Sequence, residues 1–149
     1  EKITTVLTPF LKDPSWMIRS ASLKIISAFD KAEEAQKFHP AVLGALKDPA
    51  LVVRAEAIST LERLKAPGFE STLYEILEEP SNYHKGVAQW VPQRARQALM
   101  KIPVAKKEEA SSRAAHLGLL LKREDLIRED GFRQQLAHAR QFLMTKAAE

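Results

Sequence analysis

The residues best placed to do chemistry lie between Ser81 and Lys107, a run that contains no Asp or Glu. It holds Lys85, Arg94, Arg96, Lys101, Lys106 and Lys107, with Tyr83, His84 and Trp90 among them. Cations interleaved with aromatic rings suit recognition of an anion, because charge attracts the ligand and flat rings add contact area. The anion is either an acidic protein segment or a phosphate backbone. Catalysis is not indicated. The chain has no Gly-rich phosphate loop, no G-x-S-x-G elbow and no H-E-x-x-H pair. Its four histidines, His39, His84, His116 and His138, are scattered without a paired nucleophile, and zero Cys removes thiolate chemistry and Cys-ligated metals. No enzymatic role, cofactor or metal is therefore expected.

These side chains need a scaffold, and the composition points to helices. Of 149 residues, 45% are hydrophobic, 28% are charged and only five are Gly, with no Val/Ile-rich alternating run. That length suits one domain over residues 1–149. A net charge of +4 is mildly basic, so the distribution of charge matters more than its total. No stretch approaches the about 18 consecutive apolar residues of a membrane span. No targeting peptide is visible and the chain does not begin with Met, which leaves the compartment open, a cytoplasmic one slightly favoured over an exported mature form.

Leu46 to Leu64 sets the helical pattern. Asp48 and Pro49 supply an N-cap and a first helical residue. Val53, Ala57, Ile58, Leu61 and Leu64 then form one apolar stripe, preceded by Val42, Ala45 and Leu46 at the end of a shorter helix. Thirty-five positions earlier, Leu11, Asp13, Pro14, Ile18, Arg19, Ser22, Leu23, Ile26 and Phe29 repeat the unit. On these residues the chain resembles the HEAT-repeat family in its short bacterial, phycobilisome-lyase-like form, whose core reads D-x-x-x-x-V-R-x-x-A-x-x-x-L. The match covers about residues 3 to 66. The resemblance implies an all-α, HEAT-like α-solenoid of about four stacked hairpins, the last a degenerate cap. It also implies a ladder in which Arg19 and Arg54 reach turn carboxylates, Asp13 and Asp48, of their own or adjacent units. Stacking is the physical reason for such arrays, since one helix pair cannot enclose its apolar side.

In chain order, the repeats fall at about residues 2–30, 38–66 and 69–103, followed by capping helices at about 106–147. Pro9 lies in the first helix and should kink it. Trp16 is expected to plug the exposed edge of the first unit, with contact to a partner as the alternative. Asp30 to Lys37 reads as a polar linker, His39 as an N-cap, and Ala66-Pro67-Gly68 as a stop in which Gly supplies the C-cap. In the third unit the turn has gained seven residues, Gly86 and Pro92 replacing the turn Asp and the ladder Arg, so a protruding loop is expected around Ser81–Gly86. Trp90 either fills the core beneath that loop or faces out. In the last pair, Ala114, Leu117, Leu120, Leu121, Phe132, Leu136, Ala139, Phe142 and Leu143 should be buried, with Arg133, Gln134, His138 and Arg140 in water.

The function expected is a non-catalytic scaffold or adaptor. In the resembled family the second helix of each unit lines a concave surface that holds another protein. Here that surface would present Ser20, Lys24, Ser59, Glu62, Gln97 and Lys101, and the basic segment would add Tyr83, His84, Lys85, Trp90, Arg94 and Arg96. The partner expected is another protein with an acidic segment. Nucleic-acid backbone binding by the same patch is the alternative, weakened by the small net charge and by Glu62, Glu75, Glu78 and Glu79 nearby in sequence. A role in chromophore attachment follows from the resemblance alone.

Overall fold

The computed structural model describes residues 2–149. The chain forms two compact units, one ending at Phe69 and one running from Glu70 to Glu149. Helices carry both, and among the described residues the only strands are a two-stranded ribbon. No helix among them is long and apolar enough to cross a membrane.

The first unit contains α1 (Lys2–Phe10), α2 (Trp16–Ser27), α3 (Ala32–Gln36), α4 (His39–Ala45) and α5 (Leu51–Arg63). The two Asp-Pro turns behave alike, but the Asp is not the N-cap. Ser15 and Ala50 hold that position, and each Asp carboxylate accepts the N–H of its Ser15 or Ala50 at 2.8 Å. A carboxylate that bonds the backbone two residues on closes a local turn, so each helix starts two residues later than the Pro predicts. At the far end of α5, Ala66 N–H bonds Leu61 O and Lys65 N–H bonds Glu62 O, a Schellman closure. The left-handed residue there is Lys65, at φ 49°, so the C-cap role expected of Gly68 falls three residues earlier on a side chain that resists it.

The predicted stripe supplies the core, with Leu23, Ile26, Val53, Ala57 and Leu61 buried beside Phe38 and Val42. Three expectations fail here, the first being that His39 is the opening residue of α4 and Phe38 its N-cap. Residues 32–36 are helical, because Ala35 and Phe38 stand one turn apart and are both buried. Ile18, aligned with Val53, is exposed.

The neighbouring contacts fix how the repeats lie. Arg19, near the start of α2, bonds Asp48 just ahead of α5, while Leu23 O, one turn later, accepts from Thr60 Oγ1 further along α5. Both contacts advance in the same direction, so α2 and α5 are parallel neighbours.

The second unit runs through α6 (Phe69–Glu78), a single 3-10 turn at Pro80–Asn82, β1 (Tyr83–His84), β2 (Val87–Ala88), α7 (Trp90–Lys101), α8 (Lys107–Leu121) and α9 (Asp130–Ala148). α8 and α9 pack on each other, and α7 touches α9 and β2. Buried Arg113, with a side chain only 5% exposed, ties this unit together. It donates to Glu70 Oε1, Ile102 O and Pro103 O at 2.8, 2.8 and 3.1 Å. Residues 124–129 belong to neither helix and form a turn in which Leu126 and Ile127 are buried, while Asp130 and Gly131 open α9. Phe142 is exposed rather than buried. Arg133 does not face water either, because its guanidinium bonds Ile127 O at 3.0 Å and also Leu121 O.

Candidate partner-binding surface

The segment expected to protrude as a loop is instead a tight hairpin. Tyr83 pairs with Ala88 and His84 with Val87, closed by Lys85 and Gly86 at φ 51° and 82°. Two consecutive positive φ values make a type I′ turn, the kind whose twist matches a two-residue hairpin. Residues ahead of α9 fix the hairpin in place. Gly86 O accepts from Arg128 N at 2.8 Å and Glu129 N at 3.2 Å, and Ala88 N donates to Glu129 Oε2 at 3.2 Å.

Strand alternation sorts the side chains by face. Tyr83 and Ala88 point inward. The Tyr83 ring lies 6.3 Å from that of Phe132, and its hydroxyl donates to Leu77 O at 2.6 Å. Burial pushes that hydroxyl's pKa above its ordinary value, so Tyr83 is an anchor of the ribbon more than a free contact. His84 and Val87 share the opposite, exposed face, with Lys85 exposed at the tip.

Trp90 begins α7 and is 64% exposed, so of its two alternatives the structure shows the outward one. From it, Arg94, Gln97 and Lys101 follow at four, seven and eleven residues, one face of a helix whose opposite face buries Val91, Ala95 and Leu99. Gln97 and Lys101 are exposed and Arg94 is half-buried. Arg96 is turned off this line, half-buried, with Nη2 on Gln93 Oε1 at 3.2 Å. Its burial lowers its pKa.

The site residues expected from sequence thus divide. His84, Lys85, Trp90 and Lys101 are outward in the second unit; Tyr83 and Arg96 are partly drawn in. Lys24 is exposed but belongs to the first unit, and Ser20, expected beside it in solvent, is buried. Sequence reasoning missed Val87, an apolar residue on the outer face of the ribbon, although its place directly after a Lys-Gly turn was a usable signal. It also treated the run as free of acid. The fold sets the Glu129 carboxylate directly on the ribbon at Ala88.

No family model, curated protein or solved structure matches this chain. Among the described residues no three His, Asp or Glu side chains are grouped to hold a metal ion.

Proposed function

We propose that the protein is a non-catalytic scaffold of HEAT-like repeats, continuing as an α-solenoid, that binds an acidic segment of a partner protein. The surface proposed consists of His84, Lys85 and Val87 on the ribbon and Trp90, Arg94 and Lys101 on α7. One observation carries the reading. A Trp that is 64% exposed heads a helical line of cationic and amide side chains, beside a ribbon whose outer face is apolar and basic. An exposed indole flanked by cations is the combination that dominates protein interfaces, since the ring supplies buried area and the cations supply orientation. The repeat reading is supported by the parallel α2 and α5 and by the Arg19–Asp48 bond between their turns.

The experiment compares the intact chain with a Lys85→Glu, Trp90→Ala, Lys101→Glu variant as baits for Glu-rich peptides. Arg94 and Arg96 are left alone because both are half-buried. Peptide retention by the intact chain and its loss in the variant, with equal melting temperatures, supports the proposal. Equal retention by both sinks it. Steep, log-linear loss of single-stranded DNA binding with salt, together with no peptide retention, would instead assign the patch to nucleic acid.

A further inference from the structure

The internal repeat allows the two hairpins of the first unit to be compared position by position. Val53 on α5 is 1% exposed, while its equivalent on α2, Ile18, is 41% exposed. Thr60 is 0% exposed and bonds the Leu23 carbonyl of α2, while its equivalent, Ile25, is 49% exposed. The positions α5 uses to pack on α2 are therefore apolar and open on α2 itself. Met17, next to Ile18 on α2, is exposed as well.

The turn carboxylates differ in the same sense. Asp13 and Asp48 each hold the N–H two residues on at 2.8 Å, but Asp48 also receives Nε and Nη2 of Arg19 at 2.8 and 2.9 Å. Arg19 meets Asp13 only through its backbone oxygen, at 2.7 Å. Among the described residues no guanidinium occupies the place on Asp13 that Arg19 occupies on Asp48.

We propose that the open face of α2 is a docking surface for a helical hairpin of a partner, one that presents an Arg to Asp13 as Arg19 presents itself to Asp48. Its apolar side chains cover Ile18 and Ile25 as α2 covers Val53 and Thr60. Charge complementarity selects the occupant. A carboxylate set in an apolar surface favours a planar, bidentate cation over a lysine, and an apolar helix lacking the Arg leaves the carboxylate desolvated and unmatched. This surface lies in the first unit and is independent of the Trp90 patch.

The chain has no Cys, so Ile25→Cys provides a single thiol as reporter. The probe hairpin is a copy of residues 1–35 joined ahead of the chain with its own Ile25 retained. Maleimide labelling of Ile25→Cys should slow several-fold in the extended protein relative to the parent. Arg19→Gln in the added copy alone, or Asp13→Asn in the original, should restore the parent rate. Asp13→Asn in the unextended protein should leave its melting unchanged, because Asn keeps the turn bond to Ser15. Labelling as fast in the extended protein as in the parent would overturn the proposal, as would protection that persists in both charge variants. If the parent sediments as a dimer that Ile18→Lys separates, the occupant is a second copy and the proposal fails in that form.

Discussion

Arg19 grips both carboxylate oxygens of Asp48, 29 residues away, through Nε and Nη2 at 2.8 and 2.9 Å. The same guanidinium bonds the Asp13 carbonyl of its own turn at 2.7 Å. One side chain thus clamps two successive turns, and the register of α2 on α5 follows from it. Arg54 repeats the inner half of this arrangement by donating to Asp48 O at 2.6 Å.

The clamp gives the first unit a defined acid response. Burial pushes the Asp48 carboxyl up, but the Arg19 bonds and the Ala50 N–H outweigh it and hold its pKa below the ordinary value. A depressed folded-state pKa means stabilisation that is complete above the unfolded value and lost as pH falls through the folded one. Urea midpoints of the intact chain should therefore decline below about pH 4. Asp48→Asn should lower the midpoint at neutral pH and flatten that decline. An acid limb of the same steepness in the variant would show that other carboxylates set it.

Arg113 plays the corresponding part in the second unit, where it is nearly sealed from water and holds Glu70 and two carbonyls. Arg113→Ala removes this donor from the Ile102 and Pro103 carbonyls and leaves Glu70 Oε1 with the Tyr74 hydroxyl at 3.2 Å, and should destabilise the chain by on the order of 3 kcal/mol, measured by denaturant unfolding. Glu70 is 39% exposed and can turn to water, which keeps the cost from being larger. A loss no greater than that of an exposed Arg, such as Arg123→Ala, would contradict this reading.

Backbone conformation yields a pair of opposite effects. Lys65 sits at φ 49°, so Lys65→Gly should stabilise by about 0.5–1 kcal/mol. Gly86 sits at φ 82°, and a Cβ there would lie 2.6 Å from Arg128 Cγ. Gly86→Ala should cost roughly 1–3 kcal/mol and loosen the ribbon, read as faster amide exchange at Ala88. Equal and negligible shifts for both substitutions would mean that neither turn constrains its helix or strands.

Much of this was legible in the sequence, and the omissions have physical causes. The stripe Val53, Ala57, Leu61 and its copy Leu23, Ile26 announced their own burial, because apolar spacing of three and four allows one helical face. Ile18 fits the same stripe and is exposed, since periodicity reports the face a helix could bury and not whether a neighbour is present to cover it. Arg133 was misread as solvated. The Phe132-Arg133 pair repeats Ile18-Arg19 and Val53-Arg54, and Arg133 likewise bonds a carbonyl six residues back, but Ile127 stands where the earlier turns have Asp. The missing acid concealed a contact that needs only the backbone. At the candidate site the cations and Trp90 were visible from composition, whereas the contribution of Glu129 comes from a turn 41 residues away and could only come from folding.

The central claim concerns the surface headed by Trp90, and Trp90 itself can report on it. In a Trp16→Phe background it is the sole Trp, and its exposure predicts red-shifted emission in the free protein. Titration with a library of Glu-rich peptides should produce a saturable blue shift that Lys85→Glu with Lys101→Glu abolishes at unchanged stability. No response of Trp90 to any acidic peptide, or a response indifferent to those charge reversals, would contradict the account.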